Sequence, residues 1–278
     1  VTAFSRRDGG ARLADRPQGP HSLSMDAFHE RGFVVLPGIA PAATVGAMRE
    51  RALADLAGDV APVEREADVG YPGAPASPDA PGGRTVRRLL RAADRDPVFR
   101  DWALAGPHLP AVARALADPP VRFCQTHHDC VMTKHPVHSS DTGWHRDVRY
   151  WSFARPHLVT AWLALTEETN PMGSLSVVPG SHRLDLAPDR FDAAQFLDEG
   201  HPDNAALLRR AVSVELQPGD VLLFHARLLH RASRNHTDRP KLAAVFTYLG
   251  GANARIPGSR SARRPALPAG VAETVGAR

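Results

Sequence analysis

His145 and Asp147 are separated by one residue in the run Gly143-Trp144-His145-Arg146-Asp147-Val148-Arg149-Tyr150-Trp151. In an extended strand alternate side chains leave the same face, so this imidazole and carboxylate are expected to project together while Trp144 and Arg146 turn away. A neutral imidazole nitrogen and a carboxylate oxygen are two of the three protein ligands in a facial two-histidine, one-carboxylate site, which holds Fe(II) and leaves positions open for reactants. By itself His-x-Asp also describes an ordinary pair on a half-exposed strand. A second imidazole is needed, and His230, ending the run from Asp220 to His230, is the candidate. His225 competes with it. Lying mid-strand beside Phe224, His225 reads instead as a packed, hydrogen-bonded core histidine.

Other residues of the right chemical types cluster nearby. His127, His128, Asp129, Cys130, His135 and His138 lack the paired Cys-x-x-Cys or His-x-x-x-His spacing of a structural zinc site. Strand alternation is expected to send His127 and His128 to opposite faces, so that His128 or Cys130 lines a cavity beside the metal. Arg149, Tyr150 and Trp151 follow the ligand strand and are expected at the cavity mouth, as substrate contacts.

The elements that must position these groups are mostly strands. Ser24 to Gly32 reads as a short helix ended by Gly32, Phe33 to Leu36 as a strand stopped by Pro37-Gly38, and Ala42 to Leu56 as an amphipathic helix with Val45, Met48, Ala52 and Leu56 in one stripe. Residues 57–83, rich in Pro, Gly, Asp and Ala, are expected to form a mobile flap. Thr85 to Leu90 follows as a strand carrying Arg87 and Arg88, then one or two helices over Pro97 to Leu116. From Val121 onward strand and turn alternate: 121–134, 158–165, 174–178, 212–216, 220–224 and 242–249, with a polar insertion over 184–210 holding a short helix at 205–210. This pattern predicts a mainly β fold with flanking helices (α+β), an antiparallel double-stranded β-helix of the jelly-roll, cupin-like kind. In such a roll, strands distant in sequence meet inside one barrel, so His230 can reach His145 and Asp147.

The totals are consistent with one catalytic domain over 23–250, preceded by a disordered tail at 1–22 and followed by an extension over 251–278. The 278 residues are 43% hydrophobic, enough for a full core. Net charge is +4, from dispersed Arg with short clusters such as Arg87-Arg88-x-x-Arg91, and aromatics are only 6%. Nucleic-acid binding wants a basic face interleaved with aromatics, so a small, anionic substrate is the better use of this charge. Cys124 and Cys130 lie on one strand roughly 20 Å apart, beyond disulfide reach, which suits a reduced, cytoplasmic protein. No apolar h-region opens the chain and no apolar run approaches the ~18 residues a membrane span requires. Nothing in the pattern speaks to oligomeric state.

Taken in order, His145-x-Asp147, Trp162-Leu163-Ala164-Leu165, Asn170-x-x-Gly173-Ser174-Leu175-x-x-Val178-Pro179-Gly180-Ser181-His182, Pro218-Gly219-Asp220 and His230-x-x-Ser233-x-x-x-x-x-x-Arg239 resemble the phytanoyl-CoA dioxygenase family, as does the opening Phe28-x-x-x-Gly32-Phe33-x-x-Leu36-Pro37-Gly38. The resemblance covers about residues 24–250. It implies an Fe(II)- and 2-oxoglutarate-dependent dioxygenase that uses O2 and releases CO2 and succinate. His145, Asp147 and His230 would hold the iron. The distal carboxylate of 2-oxoglutarate would pair with a basic residue on the strand after His230. Most relatives place Arg eleven positions beyond that histidine, where this chain has Lys241, which offers a point charge in place of a two-pronged bond. Arg239 is the rival anchor, although Pro240 argues that it precedes the regular strand. Trp162 would line the cosubstrate pocket and Arg88 would reach the cosubstrate, while Asn170, Gly173 and Pro179 to His182 form turns. Relatives that halogenate carry a small residue at the carboxylate position, so Asp147 implies hydroxylation or a related oxidation of a small molecule. The alternatives are a cupin-like protein using its metal as a Lewis acid, or an inactive small-molecule-binding relative.

Overall fold

The computed structural model describes residues 25–270. The predicted tail over 1–22 lies outside the described residues. In chain order the elements are α1 (Asp26–Arg31), β1 (Phe33–Leu36), α2 (Ala42–Ala57), β2 (Val63–Arg65), β3 (Val86–Leu90), α3 (Ala92–Arg95), α4 (Pro97–Ala105), α5 (Leu109–Leu116), β4 (Arg122–Lys134), β5 (Thr142–His145), β6 (Leu158–Ala164), β7 (Leu175–Val177), α6 (Pro202–Leu208), β8 (Val212–Val214), β9 (Val221–His225), β10 (His230–Ala232), β11 (Lys241–Leu249) and β12 (Ala266–Pro268). They build two antiparallel sheets. The larger runs β1-β9-β6-β11-β4-β3-β2, with β12 also paired to β4, and the smaller runs β5-β10-β7-β8. This is the jelly roll that the strand-and-turn pattern predicts.

The larger sheet is apolar on both faces, and alternation within its strands divides the labour. Val159, Ala161 and Leu163 of β6, with Ala244, Phe246 and Tyr248 of β11, pack outward against α2, α4 and α5. Trp162 and Ala164 of β6, with Ala243 and Val245 of β11, face inward and meet Leu175, Val177, Val214 and Ala232 of the smaller sheet. Every residue of β6 and β11 is buried. The helices are placed by local chemistry. Asp96 caps α4 by accepting from the Val98 N–H at 3.0 Å, with Pro97 in the first turn, where its missing N–H costs nothing. Gly32 ends α1 at φ +83°, and a Cβ there would lie 2.4 Å from the His182 ring, so the turn needs glycine twice over.

Three departures from the sequence reading shape the site. Residues 57–83 are not structureless: β2 pairs with β3 and a 3-10 turn follows at Glu66–Asp68. Val-Glu-Arg is too short and charged to read as a strand alone, and it is long-range pairing that makes it one. Second, β4 bulges. Its register against β11 jumps from Asp129↔Phe246 to Cys124↔Thr247, leaving 125–128 without partners in β11. Third, the chain beyond 250 folds back on that bulge. β12 pairs with 122–124, Ser261 Oγ lies 2.7 Å from His127 Nε2, and Gln125 donates to the Pro265 carbonyl at 2.7 Å. The short insertion helix starts earlier than predicted, at Pro202.

Candidate metal and cosubstrate site

His145 is the last residue of β5 and His230 the first of β10, and the two face each other directly across that antiparallel pair. Their ring centroids are 4.2 Å apart. The strand stops at His145, so Asp147 does not reach the site by strand alternation as expected. It opens a 3-10 turn, Asp147–Tyr150, that curls its carboxylate back beneath the imidazoles. Asp147 Oδ1 lies 3.8 Å from His145 Nε2 and 3.7 Å from His230 Nε2.

The backbone sets both tautomers. His145 Nδ1 donates to the Gly143 carbonyl at 2.8 Å, and His230 Nδ1 to the Leu228 carbonyl at 3.0 Å. Each Nε2 is therefore left with a lone pair pointing at the shared space. Burial, and then the neighbouring His230, push the His145 imidazole well below the usual histidine range, so it stays neutral and able to ligate. Asp147 is 1% exposed and its Oδ2 has no hydrogen-bond partner. Three acceptors within 4.8 Å of one another, with no donor between them, repel unless a cation sits among them. The donor set, two imidazoles and one carboxylate on one side of a cavity, fits non-haem Fe(II). Among the described residues these three form the one such cluster.

The cavity above them, about 320 Å³, lies between the sheets. His128, Cys130, Met132 and Lys134 line it at alternate positions of β4, a period-two stripe. His127 lines it too. The bulge over 125–128 overrides the alternation that should have separated it from His128, and both rings contact Trp151, at 5.0 and 5.3 Å. Burial pushes the Cys130 thiol up to about 12 and the His128 imidazole down to about 4, so both are uncharged at neutral pH.

Of the two rival anchors, Lys241 lines the cavity and Arg239 does not. The side chain of Lys241 is 3% exposed and its Nζ lies 3.1 Å from Glu168 Oε2, whereas that of Arg239 is 66% exposed and pairs with Glu167 outside the barrel. Pro240 is the reason: β11 begins only at Lys241, so strand alternation does not extend back to Arg239. Trp162 borders the same end, donating Nε1–H to Glu168 Oε1 at 2.8 Å, with the Lys241 ammonium 5.1 Å from its ring centroid. Arg88 lines the cavity from β3, with Nε 3.3 Å from Glu64, a carboxylate shared with the buried Arg87. At the mouth Tyr150 and Trp151 line the opening, Arg149 stacks 3.6 Å over the Phe196 ring, and the Tyr150 hydroxyl lies 3.0 Å from that of Tyr71. His225 is a core residue, bonded to His157 at 3.0 Å and to the Arg227 N–H at 3.0 Å.

Sequence reasoning passed over Lys134, Glu168, Tyr71 and Arg260, all of them lining the cavity or bonded to a residue that does. Lys134 was within reach of it, two residues beyond Met132 on the stripe of His128 and Cys130. Glu168 sits in an isolated bridge to Leu216 and Tyr71 in the irregular segment between β2 and β3, with no period to mark them. Arg260 belongs to the segment that folds back from beyond 250.

A jelly roll with a two-histidine, one-carboxylate cluster at the floor of an inter-sheet cavity defines a non-haem iron oxygenase scaffold. The family model of phytanoyl-CoA dioxygenase (PhyH) matches residues 28–243, and the chain belongs to that family. It is 27% identical over 238 residues to the ectoine dioxygenase of Sphingopyxis alaskensis, covering 80% of this chain and 73% of the relative. It is 28% identical over 176 residues to a probable phytanoyl-CoA dioxygenase of Caenorhabditis elegans, covering 60% of this chain and 55% of that one. Among solved structures it resembles the epimerase SnoN in complex with Fe3+, alpha ketoglutarate and nogalamycin RO (TM-score 0.66, 25% identity, 87% and 93% of the two chains). It also resembles EctD from S. alaskensis with 2-oxoglutarate and 5-hydroxyectoine (TM-score 0.71, 23% identity, 95% and 94%). The chain is an Fe(II)- and 2-oxoglutarate-dependent dioxygenase.

Proposed function

We propose that the chain hydroxylates a small molecule at a C–H bond held over the His145, Asp147 and His230 cluster. The overall change is R–H + O2 + 2-oxoglutarate giving R–OH + succinate + CO2. Bound iron supplies the oxidising chemistry. The protein's residues do the rest. Gly143 and Leu228 carbonyls hold the two imidazoles in the ligating tautomer, Asp147 balances charge, and Lys241 receives the far carboxylate of 2-oxoglutarate with Trp162 as one wall. Arg88 reaches toward the same ligand from β3. His128 and Cys130, uncharged at neutral pH and next to the cluster, form the cavity wall against which a substrate C–H would rest.

The substrate reading rests on the mouth. Tyr71, Tyr150, Trp151 and His127 offer ring faces, and Arg149 and Arg260 carry guanidinium groups for which, among the described residues, no carboxylate lies within ion-pair distance. A molecule with a flat or cyclic body and an anionic or strongly accepting group fits that mouth. Relatives are named for ectoine or were solved with nogalamycin RO, both small molecules, which supports a small-molecule substrate. The two free, buried cysteines support a reducing, cytoplasmic setting.

The observation that carries the reading is the convergence of two imidazole nitrogens and one carboxylate oxygen within 4.8 Å at the floor of a cavity. The test is succinate formation from 2-oxoglutarate under O2 with and without added Fe(II), first alone and then with ring-bearing acids and zwitterions. Iron-dependent succinate that rises with one substrate class, with product heavier by one oxygen, is expected. Metal uptake with no succinate under any condition would overturn it.

A further inference from the structure

Lys241 alone makes a poor receptor for a second negative charge. Its ammonium is already paired with Glu168, both side chains are nearly fully buried, and the second Glu168 oxygen is taken by Trp162. The pair is neutral as a unit. A far carboxylate arriving there would meet one shared ammonium and one carboxylate, and burying an unbalanced charge is costly. The missing charge lies across the sheet. Lys134 stands directly opposite Lys241 in the β4–β11 register and lines the same cavity. Its Nζ donates to the Ser140 carbonyl at 2.8 Å, and among the described residues no carboxylate lies within ion-pair distance of it. Its stem is held in place by Gly173, where φ is +77° and an added Cβ would sit 3.0 Å from Lys134 Cδ and 2.3 Å from the Ser233 carbonyl.

We propose that Lys134 is a second cosubstrate-binding residue, and that the far carboxylate of 2-oxoglutarate bridges the Lys134 and Lys241 ammonium groups while Glu168 balances one of them. This rests on the reading of Lys241 as anchor. The charges around Lys134 agree with it. Lys241 and Arg87 crowd it with positive charge, and Glu66 and Asp141 offset this only from a distance, engaged with the Ser140 N–H and with Arg234. Burial first, and then Lys241, push Lys134 down to about 7. A carboxylate between the two lysines favours the charged form, so binding takes up a proton once Lys134 is neutral. Affinity for 2-oxoglutarate therefore falls as pH rises above 7, by up to about tenfold per unit.

The probes are 2-oxoglutarate and 2-oxopentanoate, which has the same five-carbon keto-acid but ends in methyl. Both are titrated anaerobically into the Fe(II)-loaded protein and followed by the visible metal-to-keto-acid band. Lys134→Met is expected to raise the dissociation constant for 2-oxoglutarate at least about tenfold, equivalent to 1.4 kcal/mol, and to leave that for 2-oxopentanoate within about twofold. In the unaltered protein, between pH 7 and 8.5, weakening is expected for 2-oxoglutarate and not for 2-oxopentanoate. This second comparison needs no variant and stands even if Lys134→Met does not fold. Equal loss for both ligands would make Lys134 structural and overturn the proposal. No loss for either would leave the carboxylate to Lys241 alone and overturn it too. Absence of a band in the unaltered protein with either ligand would instead overturn the iron and 2-oxoglutarate reading of the whole site.

Discussion

The floor and the mouth of the cavity between the sheets are built by different means. At the floor His145 faces His230 and Lys134 faces Lys241 in fixed strand register, Trp162 lies on the neighbouring β6, the ring tautomers are set by backbone carbonyls, and Asp147 alone of the three ligands comes from a turn. At the mouth Tyr71, Arg149, Tyr150 and Arg260 come from turns and from the returning segment beyond 250. There Tyr71, Arg149 and Tyr150 hold one another by a hydroxyl pair and stacking of the guanidinium on the Tyr150 ring. Chemistry common to the class needs atoms placed within fractions of an ångström, which paired strands supply. Recognition of a particular substrate is left to segments that can differ without disturbing the sheet.

The comparison breaks most sharply at the floor. His230→Ala is expected to abolish iron-dependent succinate formation, by on the order of 10³-fold or more, about 4 kcal/mol at the barrier. His225→Ala, five residues earlier and outside the cavity, is expected to reduce stability while retaining turnover of the folded fraction. Equal catalytic loss in both, measured on folded protein, would move the ligand role away from His230.

Next in size is Lys241→Met. It leaves the buried Glu168 without its ion-pair partner and with only the Trp162 Nε1–H bond, a change worth about 3–5 kcal/mol of stability. The double variant Lys241→Met with Glu168→Gln is expected to recover most of that loss by thermal melting and still bind 2-oxoglutarate poorly. Recovery of affinity along with stability would show that Lys241 acts only as a structural partner.

Acid stability tests the buried imidazoles. Burial pushes His108, His127 and His225 down to about 3 and His128 to about 4. The unfolded chain protonates them near 6.5 and the folded one does not. Their stabilising contribution is therefore complete above ~6.5 and drains away as pH falls toward 4. Asp129, pushed up to about 6 by burial, acts in the opposite sense but is one group against four. Melting temperature should fall steadily between pH 7 and 5. A flat profile would mean these rings are solvated.

The smallest expected effect is at the mouth. Tyr150→Phe removes the hydroxyl that meets Tyr71 and the Arg149 guanidinium, two hydrogen bonds of about 0.5–1.5 kcal/mol each. A few-fold rise in KM for the substrate, with unchanged affinity for 2-oxoglutarate, is expected from steady-state kinetics. A change in 2-oxoglutarate affinity would erase the distinction between floor and mouth.

The same division explains how much could be read from residues alone. Short apolar runs bounded by turn residues announce the jelly roll, because β6, β9 and β11 are buried on both faces and their sequences are almost continuously apolar. Strand alternation brings Asp147 near its partners only in part, since a 3-10 turn and not the strand delivers it. Arg239 is a rival to Lys241 by strand alternation alone, and Pro240 is the residue that marks where the strand begins and favours Lys241. The bulge over 125–128, the strand β2 and the return of 251–270 arise from pairing between distant segments, which leaves no local period. Tyr71, Glu168 and Arg260 were hidden for that reason.

The central claim is that one iron ion is held by two imidazoles and one carboxylate drawn from β5, the turn after it and β10. Anaerobic equilibrium dialysis of Fe(II) against the unaltered protein and His145→Ala tests it most directly. One tightly bound ion per chain, lost in the variant while the melting profile stays cooperative, is the expected result. Stoichiometric iron retained by folded His145→Ala would contradict it.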